Sequence, residues 1–548
     1  MLSGLMQDDF PLTLGHVLTR MRTLNSGAEI VTLRSPDGTR TRARLDEVVD
    51  RVDRLAAALR AYGIEPSDRV ATFAWNTQEH AELYMAVPCL GAVLHTLNIR
   101  LFADQLVYIV NHARDRIVFV DDSLAPLLAQ IADKIPTVEL FVIIGDGDAA
   151  GLTPSVRYED LIAGAAPIGA YPQLDERAAA ALCYTSGTTG HPKGVLYSHR
   201  STLLHAIGTG LADAIGLRSD DRLLPIVPQF HAMAWGLIHG AFMFGASLVM
   251  PGRFLQAEPL ADLIASEQVT LSGAVPTIWM DLLRYLDTHP GADVSSLRNV
   301  VCGGAAVPRA LMEPLQERHG VTITHAWGMT ETSPLGSVAQ PPAASSGEER
   351  WSYRLSQGKL SALVEGRIIA ADGTEAPWDG ESTGELQVRG PWIAAAYYED
   401  PEGSREKFDD GWLRTGDVAS IDARGYIRIS DRTKDIIKSG GEWISSVELE
   451  NELMAHPAVR EAAVIAMPDD RYSERPLACV VVEPDTAIDA GELREHLASR
   501  VAKWWVPDAF AFIAEVPKTS VGKFDKKVLR AELADGSLDI IRPAGAHT

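Results

Sequence analysis

Residues 185 to 194 read Thr-Ser-Gly-Thr-Thr-Gly-His-Pro-Lys-Gly. Glycines let a backbone approach an anion closely, hydroxyls donate to phosphate oxygens, and a lysine supplies charge. Thr185, Ser186, Gly187, Thr188, Thr189, Gly190 and Lys193 are therefore candidates for holding a phosphate. The segment is not a Walker A loop, because Gly194 follows Lys193 where Ser or Thr would be required. On residue types alone, an ordinary Ser/Thr/Gly turn explains it equally well. The same holds for other groups that could do chemistry when each is taken singly. Glu331 reads as a surface or capping acid, Arg432 as half of a surface ion pair, and Lys523 as a solvated lysine near the C-terminus. Trp235 reads as core packing.

The elements that must position these groups come from hydrophobic periodicity. Residues 46–62 show helical spacing of apolar positions, and 69–74 read as a strand. Short β-rich runs recur at 117–120, 140–144, 181–185, 246–250 and 298–302, with helical patterns between several of them. This alternation predicts an α/β fold of parallel, helix-covered sheets. After about residue 360 the runs GELQVRG, DGWLRTGD and RGYIRISD follow one another with turn signals, which predicts an antiparallel subdomain closing the large domain. The charged, glycine-bearing DRTKDIIKSGG follows, and beyond it a helix near 446–455, strands near 462–467 and 478–483, and a helix near 491–503 predict a compact α+β unit. The expected division is a large domain over 1–431, a hinge over 432–440 and a small domain over 441–548. The stretch QPPAASSGEER at 340–350 reads as a mobile surface loop.

At 548 residues the chain exceeds what one hydrophobic core usually supports. A formal charge of −23 argues against nucleic acid as the main partner, since a phosphate backbone needs a basic footprint. Cys89, Cys183, Cys302 and Cys479 lie far apart without metal-ligand spacing and read as small core residues, which a reducing cytoplasm would suit. The N-terminus has no basic region followed by an apolar run, so no signal peptide is expected. From Leu223 to Gly252 no Asp, Glu, Lys or Arg occurs. Pro225 and Pro228 interrupt that run, so a buried strand–loop–helix is expected rather than a transmembrane span.

Taken together, the motifs carry a resemblance. TSGTTGHPKG closely resembles the signature of the adenylate-forming superfamily, which includes acyl-CoA synthetases, peptide-synthetase adenylation domains and luciferases. His231 in PQFHAMAWG, WGMTET from Trp327 to Thr332, Asp417 in WLRTGD, Arg432 in DRTKDIIKSGG and Lys523 in PKTSVGK follow in the family's order. The resemblance spans about residues 30–530. It implies an AMP-forming acyl-CoA ligase that converts a carboxylic acid and ATP to acyl-AMP and pyrophosphate, then passes the acyl group to coenzyme A.

By resemblance, residues 185–190 and Lys193 would hold the β- and γ-phosphates, and Glu331 with Thr185 would hold Mg²⁺. Gly303, Gly304 and Ala305 would pass the adenine, beside Trp327, Gly328, Met329 and Thr330. The family's tyrosine is Trp327 here, which keeps a flat face and moves any polar handle. Asp417 would accept from the ribose hydroxyls, and Arg432 would add a second nucleotide contact. Lys523 would bridge the carboxylate and α-phosphate during adenylation. Rotation about Lys434 would then replace Lys523 with the face carrying Lys438, Gly440, Gly441 and Trp443, with Glu474 nearby, to admit pantetheine. His231 would border the carboxylate or the α-phosphate, and Trp235 would act as an aromatic gate between the nucleotide site and an acyl tunnel.

Within the superfamily, SGGEWISSVELENELMAHPAV and FHAMAWG most resemble bacterial medium- to long-chain fatty-acyl-CoA ligases, a branch that also holds ligases for short thioether acids such as methylmercaptopropionate. A cytoplasmic homodimer, with weak membrane association, is the family expectation. An adenylating module would need a carrier domain, and no GGxS attachment site follows Lys523. A luciferase-type oxygenase could share every motif. A non-catalytic acyl- or nucleotide-binding regulator would require loss of catalytic groups, yet Lys193, Glu331, Asp417 and Lys523 are all present.

Overall fold

The computed structural model describes residue 7 and residues 9–24, 27–185, 191–432, 434–439, 442–469, 471–484, 486–519 and 524–543, without the side chains of residues 442 and 443.

Helix Leu45–Tyr62 illustrates how pattern becomes structure. Leu45, Val48, Val49, Val52, Leu55, Ala56 and Leu59 recur at helical spacing and are all buried. Gly63 ends the helix in the left-handed region, at φ 96°, where a Cβ would be penalised. Strands such as Leu140–Ile144 and Leu271–Ala274 are buried at every position, as expected for parallel sheets covered on both faces.

One sheet has seven strands, ordered Ser155–Arg157, Leu140–Ile144, Asp115–Asp121, Arg69–Phe73, Val93–Thr96, Ala179–Tyr184 and Gly194–Ser198. Its pairs are parallel until the last, where Ala179–Tyr184 and Gly194–Ser198 run antiparallel with Tyr184 opposite Gly194. The strands that flank the phosphate-loop sequence therefore pair with each other at a sheet edge.

The larger sheet changes character part-way across. Strands Glu29–Leu33, Ser247–Met250, Arg222–Pro225, Leu271–Ala274, Asn299–Gly303 and Ile323–Gly328 are mutually parallel. Ile323–Gly328 then pairs antiparallel with Leu335–Val338, and the sheet continues antiparallel through Gly358–Leu360, Tyr426–Arg432, Trp412–Ile421, Gly384–Arg389 and Glu365–Ile369. The antiparallel subdomain read from the sequence is thus hydrogen-bonded to the parallel sheet as its extension. Open α/β sheets offer a crevice at the carboxyl ends of strands where connectivity reverses. Here connectivity reverses between Arg222–Pro225, which leads to Ser247–Met250 on one side, and Leu271–Ala274, which leads to Asn299–Gly303 on the other.

The C-terminal unit is α+β, with strands Val459–Asp469 and Ser473–Val482 packed by helices Ser446–Met454, Ala490–Ala498 and Lys526–Asp535. It meets the rest through Asp431, whose Oδ2 accepts from the Ser446 backbone N–H at 2.7 Å and its hydroxyl at 2.5 Å. Lys526 donates to Ser446 Oγ and pairs with Glu450, each at 2.6 Å.

Two expectations about special segments resolve differently. The uncharged run from Leu223 is indeed strand, turn, helix and strand, ending in Leu237–Phe244 and Ser247–Met250. No helix among the described residues is long and apolar enough to cross a membrane. The stretch at 340–350 is not wholly a loop, because helix Gly347–Leu355 begins inside it. The reason is tertiary: Glu348 pairs with Arg309 at 2.8 Å, and the guanidinium groups of Arg309 and Arg354 both lie over the Trp351 ring. All four cysteines are free and buried, as read.

Candidate active site

The loop stem is set by two backbone groups that the hairpin brings together. Thr185 N–H donates to the Lys193 carbonyl at 2.9 Å, and Lys193 N–H donates to Thr185 Oγ1 at 3.1 Å. Ser186, Gly187, Thr188, Thr189 and Gly190 lie outside the described residues. The Lys193 ammonium lies 3.7 Å from Asp400 and 4.9 Å from the centre of the Tyr397 ring.

Thr185 and Lys193 open onto a cavity of about 380 Å³ that also receives His231, Trp235, Gly303, Gly304, Trp327, Gly328, Met329, Thr330, Glu331 and Arg432. That volume is in the range of small-molecule sites. Glu331 is 4 % exposed, and its Oε1 accepts from the Tyr397 hydroxyl at 2.5 Å. Burial, and then the Glu331 charge, push the Tyr397 phenol well above its ordinary pKa, so it stays a donor.

The strand ends make the flat part of the cavity. A Cβ on Gly303 would come within 2.6 Å of the Ala326 carbonyl oxygen, and one on Gly328 would overlap the Pro334 carbonyl. Only glycine lets the chains approach so closely here. Trp327 supplies the polar handle that the sequence left open. Its indole N–H donates to Asp417 Oδ2 at 2.9 Å, while Arg432 Nε meets the other oxygen, Oδ1, at 2.8 Å. Asp417, at 2 % exposure, is thus held from both sides and faces a second cavity of about 240 Å³ with Ala305, Arg432 and Lys434.

An unusual turn brings Ala232 and Trp235 to the wall of the first cavity. Ala232, Met233, Ala234 and Trp235 all have positive φ, from 37° to 57°, before Gly236 at 73°. Left-handed backbone costs L-residues about 1–2 kcal/mol each, so burial of the first three must hold the turn. It lays the Trp235 ring 3.6 Å from where a Gly303 Cβ would stand. The same cavity is lined by the apolar side chains of Ile215, Val227, Val275, Val301, Pro334 and Leu335.

Not every anticipated group converges. Lys523, Gly440 and Gly441 lie outside the described residues, as does the Trp443 side chain. Thr519 and Phe524, which flank Lys523, line the second cavity with Trp327 and Asp417. Lys438 is exposed, with its backbone N–H donating to Glu474 at 2.7 Å, and neither residue lines these cavities. Tyr397, Asp400 and Lys407 were not anticipated. They lie in AYYEDPEGSREKF, whose only signal is its place just ahead of WLRTGD.

Residues 29–398 match the family model described as AMP-binding enzyme, and 448–523 match that of the AMP-binding enzyme C-terminal domain. The chain belongs to the AMP-binding enzyme family. It is 43 % identical over 530 residues to a medium-chain-fatty-acid–CoA ligase of Ectopseudomonas oleovorans, covering 96 % of each chain. It is also 43 % identical over 531 residues to a 3-methylmercaptopropionyl-CoA ligase of Ruegeria lacuscaerulensis, covering 96 % of this chain and 98 % of the relative. Among solved structures, the anthranilate CoA ligase AuaEII in complex with anthranoyl-AMP superposes with a TM-score of 0.87 at 28 % identity, over 97 % of this chain and all of that one. The protein is an AMP-forming acid–thiol ligase that works in two steps, adenylation and thioester formation. ATP and coenzyme A fit this ligase as substrates.

The donor set bears on the metal. Among the described residues no group of three or more His, Cys, Asp or Glu forms a metal cage. One buried carboxylate, Glu331, lines the cavity with Lys193 and the hydroxyls of Thr185, Thr330 and Tyr397. That sparse oxygen set suits Mg²⁺, which keeps several waters and takes further ligands from phosphates.

Proposed function

We propose that this ligase activates medium- to long-chain fatty acids. The observation that carries the reading is the apolar part of the cavity lining: Ile215, Val227, Val275, Val301, Pro334 and Leu335 bring no charge and no side-chain donor. An apolar chain gains there by leaving water, whereas a polar acid would lose hydrogen bonds without replacement. The Trp235 ring lies 3.6 Å from where a Gly303 Cβ would stand, in the same cavity, so its side chain would set how far a chain reaches.

The assignment of steps follows from charge. A carboxylate and the α-phosphate of ATP are both anions, so the site must neutralise them and hold them in line. Lys193 and the hairpin loop would take the β- and γ-phosphates. Glu331 and Thr185 would hold Mg²⁺, which supplies positive charge to the departing pyrophosphate. Asp417, fixed by Trp327 and Arg432, would accept from the ribose diol, and Lys523 would bridge the two reacting groups. The proposed domains remain 1–431 and 441–548, turning about Lys434 so that Lys438, Gly440, Gly441, Trp443 and Glu474 face the site in the second step. The placement of Thr519 and Phe524 beside Asp417 supports an adenylating arrangement here.

A ligase for a short thioether acid is the second reading. The equal identity to the 3-methylmercaptopropionyl-CoA ligase favours it, as does a cavity of about 380 Å³ that must also receive nucleotide. Acid-dependent pyrophosphate release, measured from acetate to palmitate plus methylmercaptopropionate, separates the two. A maximum between octanoate and palmitate supports the first reading, and a maximum at the thioether acid replaces it with the second.

A further inference from the structure

Three Lys or Arg side chains line the larger cavity: Lys193, Arg432 and Lys407. Two of them are ion-paired, Lys193 with Asp400 and Arg432 with Asp417. Lys407 differs. Its Nζ donates to the Thr415 carbonyl at 3.0 Å, and among the described residues it has no carboxylate at ion-pair distance and no other hydrogen-bond partner. An ammonium has three donors, so two remain for the cavity. A partly buried cation with unused donors is costly unless an anion completes it.

Its position states which anion. Lys407 closes helix Pro401–Lys407, whose first turn is capped by Asp400 and carries Gly403 beside Lys193. The carbonyl it grips belongs to Thr415, two residues before Asp417, and Lys407 lines the same cavity as Glu331. Lys407 therefore joins the wall that carries the proposed phosphate-side carboxylate to the strand that carries the proposed ribose acceptor. In a nucleotide laid across that wall, the group between ribose and polyphosphate is the 5′-phosphate.

We infer that Lys407 binds the 5′-phosphate of the nucleotide, which is the α-phosphate of ATP and then the phosphate of the acyl-adenylate. The inference rests on the adenylate-forming reading above, and it assigns Lys407 a task in both half-reactions. Lys407 belongs to the large domain, so it stays beside the phosphate when the small domain turns. In the second step the sulfur of CoA, its proton lost to solvent, attacks the acyl carbonyl. The C–S bond forms, the bond from the acyl carbon to the phosphate oxygen breaks, and its electron pair goes to AMP. Lys407 meets the charge that AMP gains.

The test compares AMP with adenosine, two ligands that differ by this phosphate and need no knowledge of the acid. Both are titrated calorimetrically into wild type, Lys407→Met, Lys407→Arg and Lys193→Met. Lys407→Met is expected to lose roughly 10- to 100-fold in AMP affinity, the size of a charged hydrogen bond, with adenosine affinity within about twofold of wild type. Lys407→Arg should recover part of the loss, and Lys193→Met should keep the wild-type AMP-to-adenosine ratio. Equal weakening of AMP and adenosine in Lys407→Met would show a lysine that only props the wall and would overturn the assignment. So would a ratio shift as large in Lys193→Met. If Lys407→Met does not fold, a Lys407→Gln variant with an unchanged ratio overturns it equally. Wild-type protein that binds neither ligand would instead overturn the adenylate-forming reading, and this assignment with it.

Discussion

Removing the Tyr397 hydroxyl is the sharpest single perturbation of the proposed metal side. The hydroxyl donates to Glu331 Oε1 at 2.5 Å in a buried setting, a charge-assisted bond that leaves the other carboxylate oxygen for a cation. Such bonds contribute about 1.5–3 kcal/mol. At 1.36 kcal/mol per tenfold, Tyr397→Phe should slow adenylation by roughly 10- to 150-fold at fixed Mg²⁺. The ring stays, so Lys193 keeps its aromatic neighbour at 4.9 Å. Tyr397→Leu removes both contacts and should lose a further ~0.5–2 kcal/mol. The assay is acid-dependent ATP–pyrophosphate exchange across a Mg²⁺ titration. The Phe variant should need more Mg²⁺ for half-saturation, while thioester formation from supplied acyl-AMP changes little. A Phe variant within twofold of wild type at every Mg²⁺ concentration would refute the claim that this bond orients Glu331.

Other consequences are independent of the metal. Burial holds the His205 ring at a pKa of about 3, against 6.5 when exposed. It is neutral in the fold and takes up a proton on unfolding below pH 6.5, so stability falls as pH falls from 6.5 toward 3. Comparing the pH slope of chemical-denaturation stability in wild type and His205→Gln should give a difference near 1.4 kcal/mol per pH unit in that window, and parallel slopes would contradict it. Gly328→Ala should destabilise by about 3 kcal/mol or more, because the added carbon meets the backbone of Pro334 and no rotamer change relieves it; an unchanged denaturation midpoint would show that the strands can part. Val275→Phe should shorten the preferred acid by filling the apolar part of the cavity, a discrimination of ~1–3 kcal/mol. An acid panel with an unmoved maximum would place the chain elsewhere.

The parts of this site that could be read from residues alone were those with local causes. A glycine- and hydroxyl-rich loop after a β-rich run is a phosphate-loop candidate wherever it occurs, and Leu45–Tyr62 follows from apolar spacing and a terminal glycine. The charged run ahead of the small unit and the helix at Ser446–Met454 were equally local. Other features depended on contacts between distant segments. Nothing near Trp327 in sequence says that its N–H finds Asp417, ninety positions on. Tyr397 and Lys407 carry no motif, and only the fold brings them beside Glu331 and Thr415. Helix Gly347–Leu355 was hidden for the same reason, since Arg309 is what holds its first turn and Trp351. The left-handed run at Ala232–Trp235 was likewise illegible, because alanine and tryptophan do not advertise positive φ.

The Trp327–Asp417 bond also limits how this site can be rebuilt. A tyrosine at 327 would offer a flat face, but its hydroxyl lies at the ring's tip rather than on its flank, and Asp417 would lose one of its two fixed partners. Replacing Asp417 alone would strand a buried indole N–H. The two positions are therefore coupled: substitutions acceptable at one depend on what occupies the other, and their separate effects will not add. Any attempt to graft this nucleotide wall onto another scaffold must carry 327, 417 and 432 as a single unit of exchange.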